Sequence, residues 1–486
     1  MNTPVAAALR FSLIFLVSAV AYADNAQWNL NPTSGDWNIA TNWTPMTVPN
    51  GPEDVATFSL SNTTNVSISE DTEVNGIIFT SAATNPYSIR LNSGLTLTLS
   101  GTGITNNSGI AEFLFCDGPY NEPGQILFTN SASAGNASIT NYGSMQFLDN
   151  SSAGSADIEN GPGGRMYFSN GATAGSANIL NYATADMSFS DSSTAGNATI
   201  LSYDGNFIEF TDSSTAGNAT ISSLGKIYFD DSSDGGAAQI WIHPIAPGVG
   251  ESGILFINTP DVTIGSIESD GYVFLGTNNL TVGSNNLDTT FSGVIAGSGS
   301  LTKIGSGTLV LELVNTRAGT YTGDTNINGG VLQIDGSISS NTFVNRGGTL
   351  AGSGSIKANI NDRGGMISPG DATGVPGVLK VTGNYTTWAN HLAGGTLSIH
   401  IGGAAAGQMS VLNIHGNANL GGFLDPVLVN GFVPEVGQSF TFLKYASFTG
   451  FLRIRNPIFD DGRKRWSVSF GPTSAVLTVV KNLTRD

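Results

Sequence analysis

The middle of the chain repeats itself. The pattern Ala-Gly-(Asn/Ser)-Ala-x-Ile occurs at Ala134–Ile139, Ala153–Ile158, Ala174–Ile179, Ala195–Ile200 and Ala216–Ile221, with a degenerate copy at Gly235–Ile240. Its glycines, Gly135, Gly154, Gly175, Gly196, Gly217 and Gly236, are spaced by 19, 21, 21, 21 and 19 residues. A second series, Phe128, Phe147, Phe168, Phe189, Phe210 and Phe229, keeps the same spacing, and Phe115 and Phe256 read as its ends. A shared period of about 20 residues requires a stack of equal units, because one such unit is too small to bury its own apolar face.

The residue types select the kind of stack. Leucine-rich runs are absent, and helical repeats need longer periods and helix formers. Here 63 of 486 residues are glycine and only 11% are charged. Exposed helix faces need Glu, Lys and Arg, so a helical array is excluded. Each unit holds short strands, such as Met166–Phe168, Ile208–Phe210 and Ala198–Ile200, broken by Gly, Asn, Asp and Ser. The expected fold is all-β: a right-handed parallel β-helix with an N-terminal cap and a C-terminal β cap. Coils then stack about 4.8 Å apart, Phe on Phe and Ile on Ile, with glycine where the chain changes face.

The first 23 residues read as a secretory signal peptide, with Arg10, the apolar run from Phe11 to Ala21, and the cleavage motif Ala21-Tyr22-Ala23. No transmembrane segment is expected in the mature chain. The one cysteine, Cys116, has no intrachain partner. The expected organisation is a signal peptide (1–23), an N-terminal β cap with the first coils (24–110), the regular β-helix (111–290), a second type of coil (291–390) and a C-terminal β cap (391–486). Pro and Gly cluster near His243–Gly253, and the sequence leaves open whether the solenoid is continuous or broken there.

Residues 24–302 carry 3 basic and 26 acidic side chains, whereas residues 303–486 carry 14 basic and 10 acidic ones. The overall net charge of −18 excludes nucleic acid as a partner, since phosphate binding needs a basic surface.

From about Phe291 the pattern changes. Gly297, Gly299, Leu301, Lys303, Gly305, Gly307, Leu309, Leu311, Asn315, Tyr321, Gly323, Thr325, Ile327, Gly330, Leu332 and Ile334 alternate between strand and glycine turn. This segment resembles the autotransporter-associated β-strand repeat of Gram-negative surface proteins, with an insertion of about four residues between Asn315 and Thr320. Gly348–Ile356, Ile367–Gly370 and Val381–Tyr385 resemble the closing coils of such passengers, and Leu412–Phe451 their C-terminal cap, with Met409-Ser410-Val411 where the family has Tyr-Asp. Trp28–Gly109 resembles the leading segment of similar secreted proteins, through Trp37-Asn38, Asn42-Trp43, Val48-Pro49 and Ala56-Thr57-Phe58. The resemblance implies export and a solenoid, not an activity. It also implies a C-terminal membrane barrel; with Asp486 so soon after Phe451, the expectation is a passenger-like protein without one.

Candidate chemistry is sparse. The residues two past each Phe, namely Asn130, Asp149, Asn170, Asp191, Asp212 and Asp231, offer oxygen ligands of the kind calcium takes. The preferred reading is short polar residues that end a strand and bond the turn backbone. Of the histidines His243, His391, His400 and His415, the pair His400 and His415 is expected to approach across coils, without making a metal site. Arg165 and Lys226 are isolated basic residues in different coils, as a lyase base would not be. Trp28, Trp37 and Trp43 cap the first coil or stack on sugars. Arg453, Arg455, Arg463, Lys464 and Arg465 form either an anion-binding patch, for lipopolysaccharide, an anionic glycan or an outer-membrane partner, or a solvated hairpin around Asp460-Asp461-Gly462.

No G-x-S-x-G elbow, H-E-x-x-H or P-loop occurs. No catalytic, cofactor-binding or metal-binding residue and no cofactor is assigned. The expected function is a secreted or cell-surface β-helix with a structural or adhesive role, partnered by glycans or extracellular matrix. Two alternatives stand beside it: a polysaccharide lyase or hydrolase on the same scaffold, and a passenger separated from its barrel.

Overall fold

The computed structural model describes residues 24–118, 122–244, 253–313, 321–388 and 394–483. The expected signal peptide, His391 and the insertion at Asn315–Thr320 lie outside them. Nearly every strand pairs in parallel with its equivalent in the next coil, so the described chain is a parallel β-solenoid. The predicted fold class is the observed one.

Two sheets carry the first half. Sheet A holds Gln125–Phe128, Ser144–Phe147, Arg165–Phe168, Asp186–Phe189, Phe207–Phe210, Lys226–Phe229 and Ile254–Ile257. Sheet B holds Ser138–Asn141, Asp157–Asn160, Asn178–Asn181, Thr199–Ser202, Thr220–Ser223 and Gln239–Ile242. The register is unbroken, Phe opposite Phe in sheet A and Ile opposite Ile in sheet B. A third side is closed by single bridges, Ser133 to Ser152 to Thr173 to Thr194 to Thr215.

The aromatic column is fully buried. Phe147, Phe168 and Phe189 stack with centroids 4.7 Å apart and planes within 4° and 7° of parallel. Offset parallel rings at one coil rise are a favourable aromatic geometry, and each ring seals the core above and below. Its ends differ from the expectation. Phe115 faces outward on sheet B, opposite Thr140, with the Arg90 guanidinium over its ring. Phe256 faces outward on sheet A, and the inward neighbour of Phe229 is Ile257. Strand alternation places adjacent residues on opposite faces, so a shift of one residue moves Phe256 out of the core.

A polar column runs inside sheet B. Asn141, Asn160 and Asn181 are fully buried two residues past each Ile. The Asn141 amide donates to Asn160 Oδ1 at 2.8 Å, and the Asn160 amide to Asn181 Oδ1 at 2.8 Å. The same amides reach the Arg165 and Asp186 carbonyls at 3.0 Å, which ties each sheet-B strand to the start of a following sheet-A strand.

The corner glycines follow from backbone geometry. Gly175 has φ +62°, and a Cβ there would sit 2.5 Å from the Gly154 carbonyl oxygen of the coil below. Left-handed backbone and close approach both demand glycine.

Sheets A and B continue across the Pro/Gly-rich stretch: Lys226–Phe229 pairs with Ile254–Ile257, and Gln239–Ile242 with Ser266–Ser269. The described coils on either side of residues 245–252 stack directly on one another. From Asp261–Ile264 a full third sheet, C, replaces the single bridges, upstream of the change placed near Phe291. Sheet A ends at Val294–Ala296, and from Ser337–Ile338 sheet D takes its place.

Both ends are covered. Trp28, Trp37 and Trp43 are buried around Phe58, with Trp28 and Trp37 each 5.0 Å from Trp43 in edge-to-face contact. Their indole N–H groups donate to the carbonyls of Thr63, Pro49 and Trp37. They cap the first coil and offer no ring to a sugar. At the other end Ser439–Lys444, Ser474–Lys481 and Lys464–Phe470 form antiparallel strands over the last coils. The switch to antiparallel pairing ends the stack.

Candidate ligand-binding faces

Strand alternation turns one residue of each inward pair outward, so the surface carries columns as regular as the core. On sheet A the outward column beside the buried Phe210, Phe229, Ile257 and Leu275 runs Glu209, Tyr228, Phe256 and Phe274. Phe207 lies beside them. Tyr228 and Phe256 stack at 4.8 Å with planes 6° apart. Phe207 meets Tyr228 edge-on at 6.4 Å, and Phe256 meets Phe274 at 6.0 Å. Phe274 is 45% exposed and the other rings half-buried. Four coils thus share one aromatic strip open to solvent.

Carboxylates border the strip. Glu209 lies opposite Tyr228. Its acid is pushed up, first by burial among the rings and then by the negative charges of Asp230, Asp186 and Asp231. Asp186 is also raised by burial, against the pull of Arg165 beside it. Arg165, Asp186, Phe207 and Lys226 occupy one column of sheet A. The two basic residues are in different coils, as expected, but Asp186 gives Arg165 a partner that the sequence did not reveal. Chemically, the face offers ring planes for stacking and carboxylate oxygens that accept hydroxyl or amine hydrogens.

A smaller platform lies on the turn after sheet B, where Tyr182 and Tyr203 stack at 5.2 Å. Glu159 nearby holds the Tyr182 phenol above its ordinary range.

The acidic turn ladder is committed to the backbone. Asn130, Asp149, Asn170, Asp191, Asp212 and Asp231 all have φ between 55° and 58°. Asp149, Asp191 and Asp212 each accept from the backbone N–H of the equivalent residue one coil earlier, at 2.9, 3.0 and 3.1 Å. This is the turn-bonding role preferred for these residues. Among the described residues no group of three or more His, Cys, Asp and Glu side chains is arranged to hold a metal ion.

The described histidines do not gather. His400 lies in sheet B opposite Val427, and His415 follows the sheet-D strand Val411–Ile414, so the expected pair does not share a sheet. Burial lowers the His400 pKa, against the raising effect of Asp371 and Asp425. His243 Nδ1 lies 2.7 Å from Ser269 Oγ. Cys116 is buried, and burial pushes its thiol up to about 12, far from a reactive thiolate.

The C-terminal basic cluster separates into two groups. Arg463 pairs with Asp460 and Asp461, and Lys464 with Asp460 and Glu435, which makes the solvated hairpin. Arg453 leaves it and joins sheet B, and Arg455, just past that strand, lies over the Phe423 ring at 4.4 Å.

The sequence reading missed the outward aromatic strip. Its signal was present: each residue immediately before a core Phe must face outward, and in the later coils those positions are Glu209 and Tyr228.

Residues 301–334 match the family described as Passenger-associated-transport-repeat. An extracellular serine protease of Serratia marcescens is 44% identical over 90 residues, which are 18% of this chain and 8% of that protein. The adhesin BmaC autotransporter of Brucella suis is 32% identical over 170 residues, 31% of this chain and 5% of that protein. The chain thus spans under a tenth of the length of these relatives. The solved Haemophilus influenzae Hap adhesin aligns with 90% of this chain and 65% of its own at 10% identity, with a TM-score of 0.20. The chain is a β-solenoid that carries an autotransporter passenger repeat.

Proposed function

We propose that this protein is a secreted or cell-surface β-solenoid that acts by adhesion, without catalysis, and that glycans or extracellular matrix are its partners. The observation that carries this reading is the strip Phe207, Tyr228, Phe256 and Phe274, which presents four rings along the long axis of a stiff rod. Successive rings at coil spacing suit an extended polymer better than a single small molecule. The BmaC relative, an adhesin by name, supports the same role.

The test is a glycan array run beside a polysaccharide-cleavage assay on residues 24–486. Binding without turnover, weakened at least tenfold by Tyr228→Ala with Phe256→Ala, supports the proposal. Binding that ignores both substitutions removes the strip from it. A second reading, a carbohydrate-active enzyme, draws on the mutual influence of Glu209, Asp186 and Asp230. Turnover abolished by Glu209→Gln would establish that reading and end the first.

A further inference from the structure

The corner that joins sheet C to sheet B is bare of side chains in successive coils. Gly347 and Gly348 lie at the start of one sheet-B strand, and Gly364 and Gly365, then Gly394 and Gly395, then Gly421 and Gly422 precede the next three. Beside this corner the outward column of sheet B runs Thr349, Met366, Thr396 and Phe423. The missing side chains leave a cleft of about 400 Å³ between the glycine wall and this column. Such a volume is the size of a small-ligand site.

Two arginines bound the cleft. Arg346 opens the first corner, after the sheet-C strand Thr342–Asn345. Arg455 comes from the far side, its guanidinium stacked 4.4 Å over Phe423. Both are exposed, and neither forms an ion pair among the described residues. Arg455 follows Arg453–Ile454, which pairs four coil steps along the column from Thr349, roughly 19 Å at the strand spacing, and its guanidinium reaches back one coil over Phe423. Stacking on Phe423 holds Arg455 flat, so less freedom is lost when it binds a planar anion. A third arginine, Arg363, is stacked on Phe343 at 4.0 Å, next along sheet C.

We propose that this cleft binds an acidic glycan. Carboxylate or sulfate groups on the sugars engage Arg346 and Arg455, and the rings lie against the glycine wall between them. The proposal deepens the adhesive reading by naming a ligand class and a second face, and it rests on that reading. Guanidinium forks match carboxylate and sulfate oxygens. Thr349 on the floor supplies a hydroxyl group suited to sugars. The long-range field agrees. With 26 acidic and 3 basic residues, positions 24–302 repel a polyanion, whereas positions 303–486 carry 14 basic and 10 acidic residues. An acidic polymer is therefore directed to this end of the rod.

Asp362 shapes the wall from behind. Its Oδ1 accepts from the N–H groups of Gly364 and Gly365 at 3.1 and 3.0 Å, which fixes the corner. Burial raises its acid to about 7, so part of its negative charge is withheld from the cleft at neutral pH.

The test is titration calorimetry of residues 24–486 with oligogalacturonate, a chondroitin sulfate oligosaccharide and a neutral cello-oligosaccharide of matching length. The expected result is binding of one or both acidic probes with the neutral one at least tenfold weaker. The acidic arms separate carboxylate from sulfate recognition. Arg346→Ala with Arg455→Ala should cost at least tenfold and flatten the salt dependence, with an unchanged melting curve because both side chains are exposed. Thr349→Glu, which adds a charge to the floor without removing a cation, should weaken binding as well. Equal binding of neutral and acidic probes, or acidic binding indifferent to these substitutions, overturns the proposal. So does silence toward the acidic probes. If the neutral glycan still binds in a Tyr228-dependent way, only the cleft is refuted and the adhesive reading stands.

Discussion

The side-chain amide of Asn160 donates to Asn181 Oδ1 at 2.8 Å, one coil away inside the core. It also receives the Asn141 amide and reaches the Asp186 carbonyl. Its side-chain partners Asn141 and Asn181 are fully buried, so removal of one member strands the others. Asn160→Ala should lower stability by about 1 to 3 kcal/mol. Hydrogen exchange would show faster opening in the strands around Asn141 and Asn181, with the C-terminal cap unaffected. Uniform exchange across the chain would argue against a local ladder.

Phe168 is stacked on both sides, between Phe147 and Phe189. Phe168→Ala removes two ring contacts and leaves a cavity that the rigid coils cannot close, at a cost of about 3 to 5 kcal/mol. Phe168→Leu should cost less than half of that. A thermal melt of both variants checks the order.

Asp191 holds φ 56° and accepts the Asn170 N–H. Asp191→Gly loses the bond but relieves the backbone, whereas Asp191→Val loses the bond and adds about 1 to 2 kcal/mol of left-handed strain. The valine variant should melt lower than the glycine variant. Equal melting temperatures would contradict a role for backbone geometry at this ladder.

Asp362 is buried, with Oδ2 lacking a hydrogen-bond partner. Burial raises its acid to about 7 against two backbone hydrogen bonds that lower it. The folded chain therefore holds the proton more tightly than the unfolded chain. The resulting stabilisation is complete below the unfolded carboxyl range, near pH 4, and is lost as pH rises through 7. Asp362→Asn should flatten stability between pH 4 and 7 and raise it at neutral pH by on the order of 1 to 4 kcal/mol. Denaturation at several pH values measures this directly; parallel curves for the two proteins would refute it.

Much of the solenoid was readable because its signal is periodic. Six phenylalanines and six glycines at matched spacing leave one arrangement in which each meets its own kind. The same period marked the turn position of Asp191, whereas burial of Trp28, Trp37 and Trp43 decided between a cap and a sugar platform. Periodicity failed at Phe115 and Phe256, where period alone does not fix which face a residue takes. Lys303 shows the same difficulty: it sits between Val282 and Ile327 in an inward register, with its ammonium on the Ile304 carbonyl at 2.5 Å.

The candidate faces were less legible. Tyr228 and Phe256 are 28 positions apart, and no local pattern announces that they stack. Arg455 reads as part of a basic run with Arg463 and Lys464, yet the chain folds the hairpin away and carries Arg455 toward Arg346.

By itself the sequence determined the coil, its period, its apolar columns and the glycines at its corners. These depend on backbone sterics and on burial within one repeat, which short stretches of residues encode. Only the tertiary structure decided which outward side chains share a face and where bare corners open a cleft between Arg346 and Arg455. Those neighbours come from different coils, and their meeting depends on the register and corner length of every coil between them.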